Sequence, residues 1–283
     1  MTKISLPKSL YKYCTEHGAN IVRDLMLKVT PPNEFNDPFE FSPFLEKPTT
    51  PAHIRDVLTS TSRRELYDEM VRHGEKLPPF ELFLDKIEEF GPTLEIHGGP
   101  AFDLGYWEMV SGQLNSVSET SGVICLSEAE NQPLMWSHYT NGHKGMVVEF
   151  DTSLDYFQQN SRFMRVNYGR TRVPFDPNLA DDSPELDNFP QRVLTTKHHF
   201  WDYESEWRSL FPLSWCEKKV VNGHSLYFTH IPPALIKSVI LGCRCSDEIF
   251  NTLIEARTLN GMSFTTYRAV LHKSEFGLVY AEI

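Results

Sequence analysis

The sequence predicts an α+β fold built on a mixed or antiparallel sheet, and two observations carry that reading. Short apolar runs bounded by turn residues fill the second half of the chain, and helical periodicity dominates 51–118 and 247–259. No internal repeat or low-complexity tract interrupts this division. Leu10 to Tyr13 predicts a strand, Ile21 to Leu25 a short helix, and Leu27 to Val29 a second strand. Asn36-Asp37-Pro38 predicts a turn, because Asx side chains mimic a backbone turn and proline fixes φ. Ile54, Val57 and Leu58, then Leu66, Tyr67 and Met70, then Leu82, Phe83, Ile87 and Phe90 recur at helical spacing. Pro78-Pro79 and Gly98-Gly99-Pro100 separate these helices, which form an insertion over 51–118. Strands follow at Gly122–Ser127, Met146–Phe150 and Phe163–Tyr168. The proline-rich, acidic stretch 174–190 reads as a loop, and a short helix is predicted near 191–199. A strand around Glu206 comes next, then strands at Leu226–Phe228 and Val239–Leu241. Asp247 to Leu259 is an amphipathic helix stopped by Asn260-Gly261, and Phe264–Val270 and Leu278–Ala281 close the chain as strands.

At 283 residues and 40% hydrophobic composition the chain can bury a large core, which fits one α+β domain over 1–283 with 51–118 inserted in it. The formal charge of −11 argues against global attraction to nucleic acid or an anionic membrane. Arg162, Arg165, Arg170 and Arg172 read as a solvated strand face. The cysteines are five and scattered, unlike a disulfide framework. No apolar signal region opens the sequence and no run approaches a membrane span. The expected setting is the cytoplasm, with reduced thiols.

Glu204 and Glu206, within His199-Phe-Trp-Asp-Tyr-Glu-Ser-Glu-Trp-Arg208, are the most informative pair. On a strand, Glu204, Glu206 and Arg208 share a face, with the carboxylates roughly 7 Å apart. Trp207 and Phe211 fall on the opposite, core-facing side. Two carboxylates so held suit cleavage of glycosidic or N-glycosidic bonds, whose transition state carries positive charge on a sugar carbon. The plain alternative is a charged strand face cross-linked by Glu and Arg.

A second constellation lies in Leu134-Met-Trp-Ser-His-Tyr-Thr-Asn-Gly-His-Lys-Gly-Met146. Trp136 and Tyr139 suit stacking on a nucleobase or nicotinamide, and His138 and His143 suit hydrogen bonds to ribose or phosphate. Core packing and backbone-satisfying histidines are the alternative. Metal binding has weak support. His138 and His143 are not spaced as a helical zinc pair, and Cys243 and Cys245, read as sharing a strand face, lack a second pair. Ser137 has no Gly-x-Ser-x-Gly elbow, and neither a P-loop nor a Gly-x-Gly-x-x-Gly after a strand is present.

Taken together, Leu10-Tyr-Lys-Tyr13, Phe35-Asn-Asp-Pro-Phe-Glu40, Val123–Ser127, Met135-Trp-Ser-His-Tyr139, His143-Lys-Gly145, Tyr203–Arg208 and Val239–Gly242 resemble the bacterial family called domain of unknown function 2971. The motif order is also similar to the ADP-ribosyltransferase superfamily, in which Glu-x-Glu stands on a late strand, as Glu204-Ser-Glu206 does here. Lys12 or Tyr13 stands where that superfamily usually has His or Arg, and Ser137 or Tyr139 matches its middle-strand position. The resemblance implies a sheet core of ADP-ribosyltransferase-like type, with NAD as substrate. Glu206 would stabilise the oxocarbenium-like transition state and Glu204 would position or deprotonate the acceptor. Trp136 or Tyr139 would stack on nicotinamide, and Arg208 or Lys12 would neutralise pyrophosphate. Tyr13, Asn36, Asp37, Ser137, His138 and His143 complete the expected nucleotide-binding set. By analogy, a toxin-like or antiviral effector acting on a macromolecular acceptor fits this reading. Two rivals stand beside it. One is a non-enzymatic module that binds a nucleotide or partner protein; the other is a metal-dependent nuclease or phosphoesterase built on Asp37, Glu40 and Glu206.

Overall fold

The computed structural model describes residues 6–45, 67–68, 71–72, 76–83, 112, 114–154, 156, 163–176 and 188–283. Two compact units divide the chain: Met1–Phe41, Asn115–Arg172 and Arg192–Ile283 form the first, Ser42–Leu114 and Val173–Gln191 the second. The strands, in chain order, begin with β1 (Ser9–Cys14), β2 (Met26–Val29), β3 (Phe44–Leu45), β4 (Ser121–Ser127) and β5 (Met146–Asp151). Next come β6 (Phe163–Arg165), β7 (Asn167–Gly169), β8 (Pro174–Phe175), β9 (Thr196–His198) and β10 (Glu206–Pro212). The last are β11 (Glu217–Val221), β12 (His224–His230), β13 (Ile236–Leu241), β14 (Thr265–Leu271) and β15 (Leu278–Glu282). The helices named here are α1 (Ala19–Asp24), α2 (Pro133–Tyr139), α3 (Phe189–Leu194) and α4 (Asp247–Leu259).

The first unit is an α+β assembly on an eight-stranded sheet of order β15-β14-β13-β5-β1-β4-β10-β6. Every neighbouring pair in it is antiparallel except β13 and β14. One face carries Leu10, Ile124, Leu126, Val148, Phe150 and Trp207, which pack with Val22 of α1 and Leu253 and Ala256 of α4. The ends of α4 follow elementary rules. Ser246 Oγ accepts a hydrogen bond from Ile249 N, Asp247 and Glu248 occupy the first turn, and Arg257 the last. Asn260 then donates to the carbonyls of Val22 and Arg23, fixing α4 to α1. The other face buries Tyr11, Tyr13, Met135, Trp136, Val147 and Ile240. A smaller sheet, β11-β12-β2, and a parallel pair, β7-β9, complete this unit.

Strand β1 pairs with β5 over Ser9–Cys14, and β10 pairs with β4 over Glu206–Pro212. Between β1 and β4 only Tyr11↔Ser127 is in register. The sheet therefore splits beside that position, and Lys12 Nζ reaches across to donate to the Cys125 carbonyl at 2.8 Å.

Backbones approach closely at the ends of β1, β5 and β13. A Cβ on Gly145 would lie 2.1 Å from the Cys14 carbonyl oxygen, and one on Gly242 would lie 2.1 Å from that of His143. Backbone cannot yield here as a flexible side chain could. Gly145→Ala is expected to cost about 1–3 kcal/mol or more, read as a lowered urea midpoint at unchanged slope. An unchanged midpoint would show that the strand ends separate freely.

In the second unit β3 and β8 run parallel, with Phe44 opposite Pro174. The Tyr67 ring meets Phe80 and Phe83 edge-on, and its hydroxyl donates to the Pro78 carbonyl. Over the predicted 51–118 insertion, residues 67–68, 71–72, 80–83, 112 and 114–118 are helical. Residues 76–79 are not helical; the remainder of that stretch, and residues 177–187 of the acidic loop, lie outside the described residues.

Local expectations needed correction at five places, the first being the loop read over 174–190, which opens with β8 and ends inside α3. The helix placed near 191–199 is α3 followed by β9, because Thr196–His198 pairs with β7. The strand read over Phe163–Tyr168 is broken into β6 and β7, with Val166 turned inward between them. Cys243 and Cys245 follow β13 in a turn, so they share no strand face. Glu204 closes a 3-10 helix, His199–Glu204, and Ser205 turns left-handed at φ 44° before β10 begins at Glu206.

Candidate functional site

Lys197 is the centre of a buried charge cluster. β9 is three residues long, and alternation turns only its middle residue, Lys197, inward. The ammonium lies 3.1 Å from Glu40, 2.7 Å from Glu204 and 3.3 Å from Glu206. Arg208, two residues beyond Glu206 on the same face of β10, grips that carboxylate through Nε and Nη2, each at 2.9 Å. Nη2 also meets Glu40, and Nη1 donates to the Leu194 carbonyl. Two cations thus face three carboxylates, and none of the five side chains is more than 8% exposed.

The turn predicted at Asn36-Asp37-Pro38 supplies Glu40. Asp37 Oδ1 accepts from Phe39 N, and the Asp37 carbonyl accepts from Glu40 N. Asp37 thus shapes the turn, while Glu40 reaches the cluster. The kink at Ser205 brings in Glu204 from another direction. Its carboxylate accepts from Tyr139 of α2, whose hydroxyl is also bonded by Asn36. Although Glu204 is off the strand, both carboxylates of the Glu-x-Glu pair still converge on one ammonium.

The surroundings separate the two carboxyls. Burial raises the pKa of Glu204, and its bonds to Lys197 and Tyr139 only partly offset this. Burial also opposes ionisation of Glu206, but Arg208 and Lys197 outweigh it and hold the group at about 2. Lys197 is likewise penalised by burial, yet Glu206, Glu40 and Glu204 raise its pKa. Burial pushes the neighbouring Cys125 thiol up to about 12, so it stays protonated near neutrality.

This cluster forms one wall of a cavity of about 260 Å³ in the split between β1 and β4. Lys12, Tyr13, Asn36, Tyr139, Glu204, Glu206 and Arg208 all line it, uniting much of the residue set singled out in the sequence. Trp136 is fully buried in the core, stacked on His143 and edge-on to Tyr13, and does not line the cavity. Ser137 and His138 are exposed on α2. Ser137 bonds the Pro133 carbonyl and His143, and His138 bonds the Tyr203 hydroxyl. His143 sits at the left-handed turn before β5.

Sequence reasoning missed Lys197. A lone lysine after two threonines has no motif of its own, and only the pairing of β9 with β7 turns it inward. In sequence Glu40 reads only as a candidate metal ligand; its partners here are Lys197 and Arg208. Among the described residues no group of three His, Cys, Asp or Glu side chains is placed to hold a metal ion.

Residues 135–209, which carry Tyr139, Lys197, Glu204, Glu206 and Arg208, match the family model described as "Protein of unknown function (DUF2971)". Over this stretch, about a quarter of the chain, the sequence is similar to that family. No curated protein and no solved structure matches the chain. Among the described residues, no helix is long and apolar enough to cross a membrane.

Proposed function

We propose that the chain cleaves the nicotinamide N-glycosidic bond of NAD and transfers the ADP-ribosyl group to an acceptor, on a sheet of ADP-ribosyltransferase-like type. The observation that carries this reading is the divergence of Glu204 and Glu206, two carboxyls on one cavity wall that share Lys197. Carboxyls whose surroundings drive their pKa values apart can divide proton transfer and charge stabilisation between them. Glu206 remains an anion and favours the cationic sugar carbon as the bond to nicotinamide breaks and its electron pair leaves with the ring. Glu204, held by Tyr139, takes the proton of the attacking acceptor as the new bond forms at that carbon. Strand order supports the comparison: β1, with Lys12 and Tyr13, and β10, with Glu206, flank β4 and its cavity edge. Arg208 is held by Glu206, Glu40 and a carbonyl and Lys197 by three carboxylates, which leaves Lys12, bonded to the Cys125 carbonyl, as the cavity cation for a phosphate.

The test is nicotinamide release from NAD by purified protein. Wild type is expected to release it, and Glu204→Gln to slow release by about 10²–10⁴-fold. No release by folded wild type, with or without candidate acceptors, would defeat the reading. One observation favours a non-enzymatic binding module instead: both oxygens of Glu206 are already occupied by Arg208 and Lys197. On that reading nucleotide binds without turnover, and Glu204→Gln leaves its affinity unchanged.

A further inference from the structure

An aromatic ledge adjoins the cavity. The Lys197 ammonium sits 5.0 Å from the centroid of the Trp201 ring. Tyr203 meets that indole at 6.1 Å, tilted 40°, and His138 meets it at 6.3 Å and 67°. His138 Nδ1 and the Tyr203 hydroxyl are joined at 3.0 Å, which locks the two rings together. Each ring is tied to a cavity wall residue: Trp201 to Lys197 by contact, His138 to Tyr139 and Tyr203 to Glu204 by sequence. Trp201 and Tyr203 are part-exposed and His138 is exposed, so the ledge faces solvent beside the site. With the ammonium held against the ring, the part-exposed indole still presents surface to solvent.

Pockets for drug-sized ligands run from about 300 Å³ upward. A cavity of about 260 Å³ accommodates one ring and its sugar, not a whole dinucleotide. The second half must lie outside, against whatever borders the cavity. A flat aromatic base is the group that stacking on indole and phenol rings rewards. We infer that Trp201, with Tyr203 and His138, forms a stacking subsite for the purine base of a nucleotide whose other half enters the cavity. This extends the NAD reading and rests on it for the identity of the second half.

The experiment measures dissociation constants of the whole protein for adenosine monophosphate, nicotinamide mononucleotide and NAD. Wild type is set beside Trp201→Leu and Trp201→Phe. Trp201→Leu is expected to weaken adenosine monophosphate and NAD by about ten-fold or more and to spare nicotinamide mononucleotide. Trp201→Phe should recover most of the loss, since it restores a ring. Equal weakening of all three ligands would mean that Trp201 acts through Lys197, and would overturn the subsite. So would wild type that binds no adenosine monophosphate. If adenosine monophosphate binds with this dependence while no nicotinamide is ever released, the subsite stands and the transferase reading falls. If nicotinamide is released equally well from NAD and the mononucleotide, and Trp201→Leu changes neither, the subsite falls and the transferase reading stands.

Discussion

Lys197→Met is expected to destabilise the first unit by about 3–5 kcal/mol, the usual cost of removing one partner from a buried ion pair. Three carboxylates, Glu40, Glu204 and Glu206, would then face Arg208 alone. Arg208 contacts Glu40 and Glu206 but makes no ion pair with Glu204. Glu204 would therefore lose its cation and keep only the Tyr139 hydroxyl. The measurement is urea unfolding of wild type, Lys197→Met and the Lys197→Met/Glu204→Gln pair at neutral pH. Removing the stranded charge should return a large part of the loss, so the two substitutions should be non-additive. A single-variant loss below about 1 kcal/mol would mean that the cluster is hydrated like a surface pair.

The long-range part of this cluster could not be read along the chain. Arg208 and Glu206 share a strand face, as spacing two apart implies, and Trp207 and Phe211 pack in the core on the other side. The helix over Asp247–Leu259 was legible from its caps and periodicity, and most strands of the large sheet from their apolar runs. Strand β11, Glu-Lys-Lys-Val-Val, escaped notice because an exposed edge needs no apolar face. Ser205 defeated the strand extrapolation at Glu204. A left-handed serine is a tertiary choice, enforced here where the Ser127 hydroxyl donates to the Glu204 carbonyl and Glu128 N donates to that of Ser205. Trp136 reads equally as core or as a stacking ring in sequence; only the packing of Tyr13 and His143 around it decides for the core.

Glu204→Gln and Glu206→Gln should shift stability in opposite directions at neutral pH, although they lie two residues apart. Despite burial, Arg208 and Lys197 lower the folded pKa of Glu206 from 4.5 to about 2. Its stabilising contribution is thus complete above pH 4.5 and is lost as pH falls toward 2. At about 1.4 kcal/mol per pKa unit, that contribution is about 3 kcal/mol. Glu206→Gln should cost about this much at pH 7, and its deficit against wild type should shrink through that acid window. Glu204 has the opposite sign, because burial raises its folded pKa. What it contributes is present below its unfolded pKa and is lost as pH rises through the folded one. The ionised form of Glu204 is opposed by burial, and an amide that keeps the Tyr139 bond relieves this. Glu204→Gln should therefore be at least as stable as wild type at pH 7 and less stable relative to it at pH 4. Urea midpoints across pH 3–8 would check both variants. Loss of stability by both at pH 7 would show that the three carboxylates act as one shared charge, removing the division of labour assigned to Glu204 and Glu206.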